Sequence, residues 1–268
     1  MKSQTLTGVL GGTGFALVLL TLWQGLLVLP PARFFTAPNA QRLFYLHVPS
    51  GLMAYLAFML VVAGSGWWLW KRTPQGDRLA RCAAELGLVF GAMSLASGTF
   101  WMRAEWGPDI VMRFFSDMRL ATTLAMWLLL VAYVAWRRQP DSEAVRRGAA
   151  IVGMLGVISV PLSYLSSRFL RSDHPVIIGS DNQDALAPEM RLVLYAGLLG
   201  FLLLFVALLR TRLELSRSQF TAEMTRTKET TKETETTTKQ TTATTPKPTE
   251  KPTYSPALTA LLETLNFN

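Results

Sequence analysis

Apolar residues gather in six runs along the chain, roughly 8–29, 51–70, 82–102, 120–136, 148–167 and 192–209, with the charged residues collected in the short stretches between them. A run of about 17 to 25 apolar residues is long enough to cross the hydrocarbon layer as a helix. Lipid offers no partner to open backbone N–H and C=O groups, so the pattern predicts an all-α fold, a polytopic membrane bundle of six transmembrane helices over residues 1–212. The remaining chain, 213–268, has another composition and contains TKETTKETETTTKQTTATTPKPTEKPT. It carries too little apolar surface to offset the entropy of ordering and is expected to be a disordered, Thr-rich tail. Near its end Leu258, Leu261, Leu262 and Leu265 would form one helical stripe, which fits a docking helix or a frayed terminus.

The first run follows Lys2 as a secretory signal would. Pro30 and Pro31 come directly after it with no small-residue cleavage site, so a retained helix is expected. Glycines four apart, Gly8 with Gly12 and Gly87 with Gly91, predict close helix contacts. The GGTG at 11–14 lies inside an apolar helix without the Lys-Ser/Thr ending of a phosphate loop, and that reading is set aside. Glu85 is expected to snorkel to the surface and Pro161 to kink the fifth helix. Trp67, Trp68, Trp70 and Trp136 read as interfacial anchors.

Charge then orients the bundle. The net charge is +8, and Lys71, Arg72, Arg78 and Arg81 crowd one short connection while Arg137, Arg138, Arg146 and Arg147 crowd another. Short basic connections stay in the cytoplasm, which places both termini there as well. The basic excess is thus a topology signal, and no nucleic-acid partner is expected. Cys82 is the single cysteine, which excludes an intramolecular disulfide and a CxxCH haem-attachment motif.

The chain has two histidines, His47 and His174, and both fall in polar stretches on the opposite, outer side. Imidazole is a common ligand for iron, and two at one membrane surface are able to close on one metal or haem from either side. Pro49 suits the first turn of the second helix, which would hold His47 at a rigid entrance. Asp173 or a backbone carbonyl is placed to orient His174. Between them in sequence, 101–120 alternates aromatic and apolar residues with Arg103, Arg113 and Arg119. Such a segment suits a flat, anionic, mostly apolar ligand, and it suits equally an interfacial amphipathic stretch with belt aromatics.

Several motifs carry a resemblance to a known family: Tyr45-Leu46-His47-Val48-Pro49, Ser97-Gly98-Thr99-Phe100-Trp101, Trp106-Gly107, Asp117-Met118-Arg119-Leu120 and His174-Pro175. With them the chain resembles haem exporter protein C of the bacterial cytochrome c maturation system over about residues 8–209. The resemblance implies a haem-handling protein of the bacterial inner membrane rather than an enzyme, with haem b held non-covalently on the periplasmic face. It implies His47 and His174 as axial ligands of the haem iron, and a tryptophan-rich platform, the WWD domain, here carried by Trp101, Trp106, Gly107, Phe114, Phe115, Asp117 and Arg119. The implied partners are a periplasmic haem chaperone, the subunits of an ATP-binding cassette transporter and a small single-helix membrane protein. The chain departs from the family where further tryptophans are expected after Gly107, with Phe114 and Phe115 as the replacements. It also has Arg168-Phe169-Leu170-Arg171 where a tryptophan pair normally precedes the second histidine.

Other classes remain open to the residues alone. A membrane electron carrier with bis-histidine haem normally holds its histidines inside the helices, where this chain has none. A small-solute transporter would show paired charges or inverted repeats at the midplane. A plain assembly scaffold would leave both histidines incidental.

Overall fold

The computed structural model describes residues 2–31, 35–169, 174 and 186–243, and every regular element among them is helical. The helices are α1 (Lys2–Trp23), α2 (Phe44–Lys71), α3 (Pro74–Trp106), α4 (Ile110–Ser116), α5 (Met118–Trp136), α6 (Glu143–Met154), α7 (Gly156–Phe169) and α8 (Pro188–Ala243). A π-helical turn, Gln24–Val28, extends α1, and a 3-10 turn, Ala40–Leu43, leads into α2. Among the described residues six stretches are long and apolar enough to cross a membrane: Gln4–Val28, Ala40–Lys71, Pro74–Trp106, Met118–Trp136, Glu143–Ser166 and Pro188–Thr230. The six-helix membrane architecture is thus the one that the apolar runs predict, with α6 and α7 sharing one span.

The centre of the bundle is the antiparallel pair α2 and α3, and glycine sets its closeness. A Cβ on Gly64 would lie 2.7 Å from the Gly76 carbonyl oxygen, and one on Gly76 would lie 2.8 Å from the Trp68 amide nitrogen. The two backbones touch there, so neither position admits a side chain without separating the helices. Trp68 is consequently buried against α3 at 3 % exposure rather than standing in the interface as an anchor. Trp67 and Trp70 are exposed as expected.

Glycine packing follows the expectation at one end of the chain and shifts at the other. Gly87 meets Leu130 and Ala57, and Gly91 meets the Trp127 ring. Gly8 and Gly12, by contrast, face open space, and the close approach to α8 falls at Gly14, whose Cβ would sit 2.6 Å from the Leu204 nitrogen. The reason is helical phase: Gly14, Val18, Thr21 and Gly25 are the buried positions of the first span, a stripe that excludes 8 and 12. The interruption in the fifth span also moves. It lies at Leu155, between α6 and α7, and Pro161 falls inside α7.

Charged residues at the ends of α3 and α5 remote from the histidines are paired. Arg137 reaches Asp77 at 2.9 Å with both side chains largely buried, and Asp141 at 3.1 Å. Asp141 also takes the Arg146 guanidinium, and this bond, with Arg137 beside it, draws its carboxyl down to about 2. Glu85 does reach the half-exposed margin, where Arg212 Nε donates to it at 2.8 Å.

The chain divides after Arg217 into two units. Residues 218–243 of the second unit are helical, where the composition predicts no ordered structure from 213 onward. Their described side chains are exposed, so this helix contributes no core, in keeping with that composition. The candidate stripe at Leu258, Leu261, Leu262 and Leu265 lies outside the described residues.

Candidate functional site

A cavity of about 160 Å³ opens between α2, α3, α5 and α7, with Phe114 of α4 and His174 at its margin. His47 stands on its wall and belongs to the second turn of α2, because the helix begins at Phe44, seven residues ahead of the expected start. Pro49 is therefore inside the helix rather than in its first turn. The entrance is rigid all the same. Glu105 of α3 accepts the Thr36 and Ala37 amides at 2.8 and 2.7 Å, while Arg42 donates to the Gly25 and Leu26 carbonyls at the end of the first span.

The His47 ring is held from behind by α3. Its Nδ1 lies 2.9 Å from the Ser94 carbonyl oxygen and 3.4 Å from Ser97 Oγ. A carbonyl only accepts, so Nδ1 carries the proton and donates, which leaves the lone pair on Nε2. Ser97 spends its own proton on the Met93 carbonyl at 2.7 Å, consistent with an accepting role towards the imidazole. Gly98 lies flat against the ring: a Cβ there would be 2.7 Å from His47 Cε1. Ser94, Ser97, Gly98 and Trp101 thus form an i, i+3, i+4, i+7 face of α3 turned to the histidine.

His174 comes to the same cavity. The two imidazole ring centres are 6.0 Å apart, with the planes inclined by 35°. Two nitrogen–metal bonds of about 2 Å each, with about 1 Å more from each nitrogen to its ring centre, also sum to roughly 6 Å. In length, the separation of the ring centres matches one metal ion held between two imidazoles. Asp173, the expected orienting group for His174, lies outside the described residues.

The aromatic residues of the expected platform separate into distinct roles. Trp101 is buried at 5 % exposure, lines the cavity and stands 6.4 Å from the His174 ring. Phe35, Phe44 and Trp106 pack around it at 6.0, 5.5 and 5.0 Å. Its indole N–H is buried and meets no acceptor among the described residues, and an oxygen-bearing ligand would satisfy such a donor. Trp106 ends α3 and supports Trp101 without lining the cavity, and the Arg113 guanidinium lies over its ring at 5.5 Å. Phe114 lines the cavity, whereas Phe115 is 79 % exposed and points elsewhere, since neighbours on a helix cannot share a face.

The segment expected as a loop is largely helical, and two of its residues serve its backbone. Gly107 caps α3 with φ of +93°, a conformation that side chains resist. Asp117 is the N-cap of α5, accepting the Arg119 and Leu120 amides at 2.9 and 3.1 Å. It does not line the cavity. Arg119 does, and it also donates to the Tyr164 carbonyl at 3.5 Å. Among the wall residues to which sequence reasoning gave no site role are Ser94, Gly98, which it quoted only within a motif, Tyr55, Thr123 and Tyr164. For Ser94 and Gly98 the four-residue face of α3 was the available signal.

Comparison with known proteins places this arrangement among relatives. The family described as "Heme exporter protein C" matches residues 2–228. Heme exporter protein C of Paracoccus denitrificans is 30 % identical over 192 residues, covering 69 % of this chain and 77 % of the relative. That of Escherichia coli K12 is 31 % identical over 180 residues, 66 % of this chain and 70 % of the relative. That of Rhodobacter capsulatus is 28 % identical over 219 residues, 77 % and 87 % of the two chains. With a match that runs through all six spans and both histidines, the chain belongs to the heme exporter protein C family.

Proposed function

We propose that this protein binds haem b non-covalently between His47 and His174 and delivers it, at the periplasmic face of the bacterial inner membrane, to a periplasmic haem chaperone in cytochrome c maturation. Both termini are then cytoplasmic, as the basic connections at 71–81 and 137–147 require. An ATP-binding cassette transporter and a small single-helix membrane protein complete the assembly. In this reading the protein is a handling factor rather than an enzyme.

The observation that carries this reading is the pair of imidazoles 6.0 Å apart, at an otherwise mostly apolar, aromatic-walled cavity, in a chain of this family. His47 offers Nε2 to the iron because Ser94 holds its Nδ1–H. His174 takes the opposite face, Trp101 and Phe114 contact the macrocycle, and Arg119 pairs with a propionate. A cavity of about 160 Å³ is smaller than the roughly 300–1,000 Å³ of pockets that enclose drug-sized ligands. Part of the porphyrin therefore protrudes, which suits cargo that a partner must take.

The test is haem content and transfer. Protein purified from membranes and loaded with haem is expected to pass it to the chaperone, and the H47A/H174A variant, inserted at equal abundance, is expected to neither retain nor pass it. Equal haem retention and transfer by the double variant would refute the reading.

A further inference from the structure

Deeper along the same cavity stands a group of side chains that the imidazole pair does not use. Tyr55, two turns beyond His47 on α2, and Thr123, one turn beyond Arg119 on α5, both line the cavity. Each hydroxyl lies 2.8 Å from Ser163 Oγ on α7, and Ser163 has no exposed surface. Three hydroxyls carry three protons, and the two bonds between them consume two. Among the described residues these side chains make no other hydrogen bond.

One proton is consequently unspent in every arrangement. Leaving it on Ser163, sealed inside the bundle, would forfeit the bond of a desolvated donor. The spare donor therefore resides on Tyr55 or Thr123, on the cavity wall. Arg119 and Thr123 share one face of α5 by their i, i+4 spacing, and among the described residues no Asp or Glu lines the cavity. This side of the wall offers a guanidinium and a hydroxyl proton. Such a wall recognises a carboxylate oxygen, and the carboxylates are the strongly accepting groups on a porphyrin's edge.

We propose that the Tyr55–Ser163–Thr123 chain is a hydrogen-bond donor subsite for a carboxylate of the porphyrin cargo, acting beside Arg119 and fixing which edge of the macrocycle enters the bundle. The inference rests on the haem-binding reading above. Ser163 links the two wall hydroxyls and gives no bond to the cargo itself. The two roles open to this chain, a subsite for cargo or a mere tie between helices, respond oppositely to substitution. Ser163→Ala deletes both internal bonds yet leaves two hydroxyls on the wall, whereas Tyr55→Phe with Thr123→Val deletes the wall donors.

The experiment titrates the full chain in detergent with haem and with haem dimethyl ester, whose propionates carry no charge. The parent protein is expected to prefer haem. Y55F/T123V should weaken haem binding roughly ten-fold or more, as loss of a hydrogen bond to a charged group does, with a much smaller change for the ester. S163A should keep the preference, and Y55F/T123S, which returns one hydroxyl, should recover it; Y55F/T123A replaces the double variant if that fails to accumulate. Unchanged haem preference in the double variant overturns the proposal, as does a loss in S163A equal to that in the double variant. Failure of the parent to bind either porphyrin would instead bring down the haem-binding reading itself.

Discussion

At the end of the bundle that carries Asp77 and Arg137, charged side chains find one another; at the end that carries His47 and His174, the polar groups turn to backbone atoms and to the cavity. The first end ties Asp77, Arg137, Asp141 and Arg146 into one linked set. At the second, Glu105 holds two amides, Arg42 two carbonyls and Asp117 caps a helix. In that set each charged side chain faces an opposite charge of the protein's own. The cavity wall instead carries an imidazole fixed through one nitrogen and an indole N–H that meets no acceptor among the described residues, the groups on which the proposed haem site rests. The difference separates an end whose charges tie helices together from the end proposed to take the cargo.

The largest expected effect breaks the first half. Arg137→Met leaves Asp77 with a side chain only 12 % exposed and no opposite charge in contact. Removing one partner of a buried pair costs about 3–5 kcal/mol. Thermal melting in detergent should fall sharply, D77N/R137M should recover most of the loss, and the haem spectrum of the protein that remains folded should be unaltered. A changed spectrum would show that the two ends are coupled.

A middle-sized effect breaks the second half. Alanine normally favours a helix over glycine by about 0.5–1 kcal/mol, but at Gly98 its Cβ would press on His47 at 2.7 Å. G98A should keep or raise thermal stability while weakening haem binding roughly ten-fold, or about 1.4 kcal/mol. Stability and binding moving in opposite directions is the distinguishing result; unchanged binding would mean that ring position is not set from α3.

The smallest effect sharpens the contrast through pH. The Arg146 bond, with Arg137 beside it, holds the Asp141 carboxyl near 2, below its unfolded value of about 3.9. Its contribution is therefore present above about pH 4 and fades as pH falls towards 2. Asp141 is half exposed, so solvent screening keeps the contribution to about 1 kcal/mol or less. D141N should lower the melting temperature slightly at neutral pH, the difference should vanish near pH 2, and haem affinity should not change.

Much of this was legible in the sequence, because six apolar runs and two lone histidines are strong signals. The places that escaped it share a physical cause. The start of α2 was read too late because Pro49 looks like a first-turn residue, whereas the preceding 3-10 turn and the Glu105 and Arg42 contacts carry the helix back to Phe44. The termini of α3 were read too short because Asp77, Arg78 and Arg81 at one end and Arg103 and Glu105 at the other interrupt an apolar pattern, and only the fold reveals that Arg137 meets Asp77 and that Glu105 holds two amides. Asp117 and Gly107 stood among motif residues and were taken as ligand contacts, although a cap and a positive φ are sufficient reasons for their identities. Ser94 and Gly98 escaped because small residues are conspicuous only once the ring that rests on them is seen.

The central claim is that His47 and His174 share one iron, and the most direct measurement is the absorption spectrum of haem-loaded protein for the parent, H47A and H174A, each with and without added imidazole. The parent is expected to show a six-coordinate, low-spin spectrum that is lost in either single variant and returns in both when imidazole fills the emptied position. A parental spectrum that persists in either single variant without imidazole would contradict the claim.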